Sequence, residues 1–364
     1  MKKKLIIFMP SIEVGGVEKN FFIISNFLSK KFSNISVITL SDLAKKRLSK
    51  KINIVKPKIF FSKILGRRLK FIICLLYLLI EIIKNKNSTV FSFQGIVYCI
   101  TLCKILSTNV IVRSNSSPSG WSKHSIKKFF YKKIYSMANI IIVNSLAFKK
   151  ELKYKFNLNS VCIYNPLNKN EILKSSKAKT KFSFFKKNNL NIINISRFTD
   201  QKDHECLVKS VNILKNKLKI KLLLIGSGPL QNKIINLTKR FKLTQNIKFI
   251  NFKKNPFPYI KKSDVLILSS RYEGSPNVLL EAIALNKFVI SSSCPTGPSE
   301  ILDNGKGGML FPVGNYKTLA KKIESFARNQ NKFSKKKKYA KRRLERFNYK
   351  NRLNDYFKTI NDYY

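Results

Sequence analysis

The sequence predicts an α/β protein made of two Rossmann-like, doubly wound domains in tandem. The 364-residue chain is too long for one ordinary core, and short apolar runs alternate with helix-length intervals along it. A segment near the middle is rich in Lys and Ser and poor in apolar residues, as expected of a connection between domains. The hydrophobic fraction of 44% excludes a disordered chain and supplies enough apolar side chains for two cores.

The first domain is predicted over residues 1–168. An apolar run at residues 4–9 leads into the turn Gly15-Gly16 and then into a helix over residues 17–30, so this stretch forms a strand-turn-helix unit. Five more strands are expected, at residues 35–40, 89–92, 109–112, 140–143 and 161–164. Because helix-length intervals separate these strands, we expect them to run parallel in one sheet.

A linker is predicted at residues 169–189, followed by a second domain over residues 190–335. Its strands are expected at residues 191–196, 221–225, 247–252, 265–269, 288–292 and 309–311. Residues 336–364 form a basic tail with helical propensity. This tail either packs back across the domains or binds anionic lipid.

The charge balance predicts an anionic partner. Lys and Arg number 72 against 18 Asp and Glu, a formal charge of +54, although part of the Lys excess is compatible with a general coding bias. Phosphate groups or anionic lipid fit this charge. Nucleic acid is not expected, because no known nucleic-acid-binding motif accompanies the basic residues. The six Cys are scattered without a C-x-x-C pair, which predicts reduced core residues.

Residues 71–83 form the most membrane-like segment. As a helix rising about 1.5 Å per residue, it is too short for a hydrocarbon core of about 30 Å. Basic residues lie just before it, at positions 63–70, which favours docking on a membrane surface; a buried core helix is the alternative. The apolar run at the start of the chain is too short for a signal peptide. We therefore predict a cytoplasmic protein, peripheral at the inner face of the cell membrane.

Two loops carry residues suited to phosphate and sugar chemistry. Residues 270–282 run from a strand end through a polar turn to a helix beginning near Pro276, whose free N–H groups suit phosphate oxygens. Glu273 and Glu281 suit sugar hydroxyls, which donate hydrogen bonds to carboxylates. Arg197 and Lys202 follow an earlier strand, and two cations in one loop can neutralise a departing diphosphate.

A glycine turn follows another buried strand, in the form Gly226-Ser-Gly228-Pro229. It is shorter than the full dinucleotide-binding pattern. A tight turn that needs glycine for its backbone geometry explains it as well as phosphate binding does.

Four motifs therefore occur in order along the chain: Gly15-Gly16-Val17-Glu18, Arg197 with Lys202, Gly226-Ser-Gly228-Pro229, and Glu273 with Glu281. In this order and spacing they resemble family 4 retaining glycosyltransferases of the GT-B fold, in which two Rossmann-like domains face across a cleft. The resemblance spans nearly the whole chain. It extends to residues 293–302 and to Gly307-Gly308.

The resemblance implies a role for each motif. Arg197 and Lys202 would hold the donor diphosphate, Glu273 would contact the donor sugar, and Glu281 would bind the ribose hydroxyls. Arg197, Lys202 and Glu273 would form the catalytic set. The remaining donor-binding positions would be Gly15, Gly16, Gly226, Gly228, Gly274, Ser275, Asn277 and Val278.

One region departs from the family pattern. Many relatives carry a His in a first-domain loop that faces the reacting sugar, whereas this chain has Arg113 and Asn115 there. His124 is nearby in sequence but in a different context. Arg113 and Asn115 are therefore predicted as acceptor or sugar contacts, with capping of the loop as the alternative.

By this resemblance the chain would move a hexose or N-acetylhexosamine, with retained configuration, from a nucleotide-diphosphate sugar that is commonly UDP-linked. The acceptor would be a glycan or a polyprenyl-diphosphate-linked glycan in the synthesis of cell-surface polysaccharide, including lipopolysaccharide. No cofactor and no metal are expected, in agreement with the lack of a D-x-D motif. A UDP-sugar epimerase of the same fold is the enzymatic alternative. A basic protein that binds membrane or nucleic acid is the non-enzymatic one.

Overall fold

A computed structural model of the chain describes residues 3–13, 15–57, 66–115 and 125–364. The described residues separate into two compact units. The first unit comprises the chain up to Pro166 together with Tyr349–Tyr364, and the second comprises Leu167–Asn348. His124 and part of the basic stretch at residues 63–70 lie outside the described residues.

The first unit contains a seven-stranded parallel sheet in the order β3-β2-β1-β4-β5-β6-β7. Its central strands are short and fully buried, as expected of a parallel sheet that is covered on both faces. The strands are β1 (Lys4–Phe8), β2 (Ile35–Ile38), β3 (Asn53–Val55), β4 (Ser88–Ser92), β5 (Asn109–Arg113), β6 (Ile140–Val143) and β7 (Val161–Cys162).

Helices cover both faces of this sheet. One layer is formed by α1, α2 and α15, and the opposite layer by α3 to α6. The helices are α1 (Gly16–Leu28), α2 (Leu43–Arg47), α3 (Arg67–Lys84), α4 (Ile96–Ile105), α5 (Ser125–Tyr135), α6 (Leu146–Phe156) and, from the end of the sequence, α15 (Tyr349–Asn361).

The second unit contains a six-stranded parallel sheet in the order β10-β9-β8-β11-β12-β13. Its strands are β8 (Leu190–Ile195), β9 (Ile220–Ile225), β10 (Ile247–Ile250), β11 (Val265–Leu268), β12 (Phe288–Ser292) and β13 (Met309–Phe311). Its helices are α7 (Lys169–Ser175), α8 (His204–Leu214), α9 (Gln231–Arg240), α10 (Phe257–Lys262), α11 (Asn277–Ala284), α12 (Gly297–Ile301), α13 (Tyr316–Arg328) and α14 (Ser334–Arg343). Short 3-10 helices lie at Asp200–Lys202, Gln330–Phe333 and Leu344–Phe347.

The structure contains every strand predicted from the sequence and adds β3. It differs at the predicted linker, because α7 lies within residues 169–189 and contacts α10 and α11 of the second unit. The tail is helical and packs against the folded units, in agreement with one of the two predicted alternatives: α14 contacts α11 of the second unit, and α15 packs into the core of the first. The basic residues at the end of the chain therefore belong to two folded units.

The six Cys are free thiols, and five of them are buried, as predicted. Among the helices in the described ranges, none is long and apolar enough to cross a membrane.

Candidate functional site

The second unit has a topological switch point between β8 and β11. From β8 the chain builds outward through β9 and β10, and it then returns to the other side of β8 with β11 and continues to β12 and β13. Loops that follow such a pair of strands diverge and leave a crevice at the carboxyl edge of the sheet, where ligands bind in open α/β sheets. Arg197 and Lys202 follow β8, and Glu273 follows β11. The strand order therefore places Arg197, Lys202 and Glu273, the predicted catalytic residues, at this edge of the sheet.

An ion pair joins the two loops at the switch point. The Lys202 ammonium contacts Oε1 of Glu273, and both side chains are largely shielded, with 16% and 8% of their surfaces exposed. The Ser270 hydroxyl donates a second hydrogen bond to the same carboxylate oxygen, at 2.6 Å. Because the pair is shielded from solvent, salt screens it less than it would screen a surface pair.

Hydrogen bonds hold the two loops in register around this ion pair. The Ser269 hydroxyl donates to the Lys202 carbonyl at 2.9 Å, and the Arg271 amide donates to the Gln201 carbonyl at 2.8 Å. The Gln201 side chain in turn donates to the Tyr272 carbonyl at 2.9 Å. The positions of Lys202 and Glu273 are thus fixed by backbone groups as well as by their own charges.

The loop after β12 supports Glu273 from a third side. The Thr296 hydroxyl donates to the carbonyls of Glu273 and Gly274, the latter at 3.2 Å. A Cβ atom at Gly297 would lie 2.2 Å from the Gly274 carbonyl oxygen, so only glycine allows this close approach. Ser270 and Thr296 were not among the predicted site residues, although they lie within residues 270–282 and 293–302. Their positions within the two motifs were the available signal.

The glycine turn after β9 packs directly against the loop that carries Arg197. A Cβ atom at Gly226 would lie 1.9 Å from the Ser196 carbonyl oxygen, and one at Gly228 would lie 2.5 Å from the Phe198 carbonyl oxygen. The Phe198 amide also donates to the Ser227 carbonyl at 3.1 Å. Packing against the neighbouring loop is therefore sufficient to explain both glycines.

Arg197 itself is exposed at the carboxyl end of β8, next to this turn. The guanidinium is thus available to a ligand at the edge of the sheet. It is in the same loop as Lys202, whose ammonium is drawn inward by Glu273.

Helix α11 begins beside Glu273 and points its amino-terminal end toward the same loops. Its N-cap is Pro276, which has no side-chain acceptor, and its first turn contains no acidic residue. Gly274 is buried, whereas Ser275, Asn277 and Val278 are partly exposed at this helix start. Glu281 lies one turn into the helix and is 7% exposed. The geometry suits an anion at the helix start.

Two nearby titratable side chains are held neutral. Burial, followed by the charge of Lys202, lowers the pKa of His204 to about 4; its ring stacks on Phe198 with centroids 4.3 Å apart. Burial, followed by the charge of Glu273, raises the pKa of the Cys294 thiol to about 12. Both groups are structural neighbours of the ion pair.

Gly15 lies between β1 and α1 in the first unit, and Gly16 is the first residue of α1. Gly15 has an extended backbone with a φ of 174°, and a Cβ atom there would meet only the carboxylate of Glu18, at 2.6 Å. This loop lies next to the one after β4, since the Ser11 amide donates to the Gln94 side chain at 3.3 Å. The local backbone does not demand glycine at position 15.

Arg113, predicted with Asn115 as an acceptor or sugar contact, is instead a structural residue inside the first unit. Asn115 is partly exposed, and its predicted role stays a prediction. The Arg113 side chain is fully buried, with its Nε donating to the Tyr356 hydroxyl at 2.8 Å and Nη2 to Asn165 Oδ1 at 2.7 Å. Its Nη1 donates to Asn115, which donates back to the Arg113 carbonyl at 3.1 Å. Because every guanidinium nitrogen is engaged inside the unit, Arg113 holds β5, α15 and its own loop together.

Within the described ranges, no group of three or more His, Cys, Asp or Glu side chains could hold a metal ion. The expectation that the chemistry needs no metal stays a prediction.

Comparison with known proteins finds a family match within the second unit, which carries Arg197, Lys202 and Glu273. Residues 175–343 match the family model of Glycosyl transferases group 1. An uncharacterized glycosyltransferase of Methanocaldococcus jannaschii is 35% identical over 179 residues, which are 47% of this chain and 44% of that protein. The N-acetylgalactosamine-N,N'-diacetylbacillosaminyl-diphospho-undecaprenol 4-alpha-N-acetylgalactosaminyltransferase of Campylobacter jejuni is 25% identical over 229 residues, which are 61% of this chain and 60% of that protein. The matches thus span less than two thirds of the length of these relatives.

Structural similarity extends over the whole chain. The Anabaena protein HepE, solved in complex with UDP, superposes with a TM-score of 0.79 at 16% identity and covers 99% of this chain and 100% of its own. This likeness confirms the GT-B fold class that the motifs indicated. The chain therefore has the GT-B fold, and its residues 175–343 match the family model of Glycosyl transferases group 1.

Proposed function

We propose that the chain is a retaining glycosyltransferase that moves a hexose or N-acetylhexosamine from a UDP-linked sugar to a glycan or polyprenyl-diphosphate-linked glycan. The observation that carries the proposal is the shielded Lys202–Glu273 ion pair at the switch point, beside the uncapped start of α11 and the exposed Arg197. These groups supply cations and helix amides for a diphosphate, and a carboxylate for sugar hydroxyls.

Donor binding would rearrange the ion pair. A diphosphate at the start of α11 competes with Glu273 for the Lys202 ammonium, because a phosphate oxygen is a strong charged acceptor. The carboxylate oxygen released from Lys202 then accepts a hydrogen bond from a donor-sugar hydroxyl. Arg197, with its fork of N–H donors, grips the diphosphate from the exposed side.

Neither neighbouring titratable group serves as the base in this scheme. His204 is 3% exposed and stacked against Phe198, and Cys294 stays protonated in its buried position. We propose that an oxygen of the departing diphosphate takes the proton of the acceptor hydroxyl. Lys202 and Arg197 stabilise the charge that develops on this diphosphate.

Two relatives support the choice of substrates. The Anabaena protein was solved with UDP, and the Campylobacter jejuni relative is named for a diphospho-undecaprenol acceptor. A lipid-linked acceptor would bring this chain to a membrane surface. We therefore propose a peripheral position at the cytoplasmic face, in the synthesis of cell-surface polysaccharide.

A binding and hydrolysis screen over UDP-, GDP- and ADP-sugars tests the proposal. We expect UDP-sugars to bind tightest, and Arg197→Ala to weaken binding by about tenfold or more through the lost charged hydrogen bonds. Arg240→Ala, at the end of α9, is the control and should bind as the parent does. Absence of binding to every nucleotide-sugar would refute the proposal. Epimerised UDP-N-acetylglucosamine formed without an acceptor would establish the epimerase instead.

A further inference from the structure

Helix α3 presents a second apolar face that the fold does not use. Its inner face is buried against the sheet through Cys74, Leu78 and Ile82. Its outer face carries aliphatic residues at spacings of three and four, which places them in one stripe along the helix. Between 44% and 58% of each of these side chains is exposed: Leu69, Ile72, Leu76, Ile80 and Ile83.

Helix α5 adds aromatic side chains and lysines. Ile126, Phe129 and Phe130 are 71%, 64% and 56% exposed. Exposed Lys residues lie on both sides of the two Phe residues, at positions 127, 128, 132 and 133. Phe side chains exposed to this extent, next to other apolar residues, mark an interaction surface more often than a solvated one.

Helix α4 connects these two features into one surface. It contacts both α3 and α5, and all three helices belong to the layer that covers one face of the sheet. Tyr98 and Ile105 of α4 are 62% and 74% exposed. We call the outward side chains of α3, α4 and α5 the outer helical surface.

The charge of the outer helical surface is positive almost throughout. Within α3, α4 and α5, Glu81 is the one acidic residue, and the Lys4 ammonium pairs with it at 2.7 Å. Basic side chains accompany the apolar ones: Arg68, Lys84 and Lys104 are exposed, in addition to the four Lys residues of α5. The surface thus combines exposed apolar side chains with basic side chains on the same helices.

We propose that the outer helical surface docks the protein onto an anionic lipid bilayer, with α3 and α5 lying in the plane of the headgroups. Apolar side chains enter the boundary with the acyl chains while lysines contact lipid phosphates. Charge complementarity selects this occupant. A second copy of the same surface would meet it with like charges, and a nucleic acid would leave the aliphatic stripe of α3 in water.

Docking does not depend on the proposed transfer reaction. The outer helical surface lies in the first unit, whereas the donor residues Arg197, Lys202 and Glu273 lie in the second. Vesicle binding and UDP-sugar binding can therefore be measured on the same variants, and each proposal can fail separately.

Flotation of the full chain with vesicles tests the docking. We expect flotation at low salt with vesicles of equal parts phosphatidylglycerol and phosphatidylcholine, and little with phosphatidylcholine alone or at high salt. The double variant Ile72→Glu/Leu76→Glu and the double variant Phe129→Ser/Phe130→Ser should each lower vesicle partition about tenfold or more. Lys127→Ala/Lys128→Ala should lower it by about thirtyfold, from about one kcal/mol for each of the two Lys residues near an anionic surface.

Phe252→Glu is the matched control, because Phe252 is 47% exposed in the second unit. This variant should float as the parent does, and all variants should keep the parent's unfolding temperature and UDP-sugar binding. A parent chain that stays at the bottom of the gradient at low salt would overturn the proposal. Normal flotation of the α3 and α5 variants would also overturn it. The same holds if these variants change in oligomeric state or in DNA binding while their flotation is unchanged.

Discussion

The two units have the same strand order around their switch points but differ in the side chains that meet there. In each sheet the first strand of the unit lies beside the fourth, β1 beside β4 and β8 beside β11. In the second unit, the loops that meet there are joined by the Lys202–Glu273 ion pair. In the first unit, the corresponding loops are joined by a neutral hydrogen bond from Ser11 to Gln94. The same topology thus positions charged chemistry in one unit and an uncharged contact in the other.

Lys202 of the second unit and Arg113 of the first differ in the same way. Lys202 is 16% exposed and paired with a carboxylate that a competing anion can replace. Arg113 is fully buried and held by a phenol and two side-chain amides, and the phenol of Tyr356 and the amide of Asn165 are themselves buried. Of these two paired cations, only Lys202, whose counter-group lies at the edge of the sheet, is therefore a ligand candidate.

Lys202→Ala should have the largest effect. We expect kcat/KM to fall roughly a thousandfold, about 4 kcal/mol, because the variant lacks a preorganised positive charge that stabilises the departing diphosphate. Lys209→Ala is the control, since Lys209 is paired with Glu205 on the surface of the same unit. An unchanged kcat/KM for Lys202→Ala would remove Lys202 from the reaction.

Arg113→Ala should instead affect stability. The change leaves the buried Tyr356 hydroxyl and the amide of Asn165 without their donor, and we expect unfolding to become easier by about 3 kcal/mol. Chemical denaturation measures this. Arg328→Ala, which removes an exposed guanidinium paired with Glu324, should change stability by less than about 0.5 kcal/mol. Equal effects of the two variants would contradict the structural role of Arg113.

Alanine substitutions at glycine separate the two units further. Gly226→Ala should destabilise the protein by about 2 to 3 kcal/mol, because the new Cβ would lie 1.9 Å from a backbone oxygen. Gly15→Ala should cost less than about 1 kcal/mol, because the nearest atom belongs to the movable side chain of Glu18. Thermal denaturation of both variants gives the comparison. A larger loss at Gly15 would show that its loop is the more tightly packed one.

The smallest effect concerns pH. The pKa of His204 is lowered from 6.5 to about 4, chiefly by burial, so the unfolded chain takes up a proton that the folded chain does not. This contribution to stability is complete above a pH of about 6.5 and is lost as the pH falls toward 4. The loss amounts to about 2 kcal/mol at a pH of about 5. Denaturation of the parent and of His204→Gln between these pH values should show a shallower slope in the variant. Parallel slopes would contradict the shift.

Strands were predictable wherever an apolar run fills the interior of a parallel sheet. The β1 sequence KLIIF is fully buried, and its apolar run alone predicts a strand. The strand β3 escaped prediction because Asn53–Val55 is a three-residue edge strand that is only partly buried, so its sequence carries little apolar pattern.

Long-range contacts explain the remaining differences. Lys202 and Glu273 were both named from their loops, but their ion pair depends on the adjacency of β8 and β11, which no local pattern encodes. Arg113 looked like a ligand contact because its partner Tyr356 lies 243 residues away in sequence. The exposure of Phe129 and Phe130 could not be predicted either, because it depends on which face of α5 packs against the rest of the unit.

The return of α15 to the first unit makes the second unit a continuous insertion within a discontinuous one. The Tyr364 hydroxyl donates to the Lys3 carbonyl at 2.9 Å, and Leu167 donates to Phe347 at 2.9 Å where the chain enters and leaves the insertion. During synthesis, residues 167–348 emerge as a whole before α15 does. Until α15 leaves the ribosome, the first unit is therefore incomplete, and the face of its sheet that α1, α2 and α15 cover together is only partly covered.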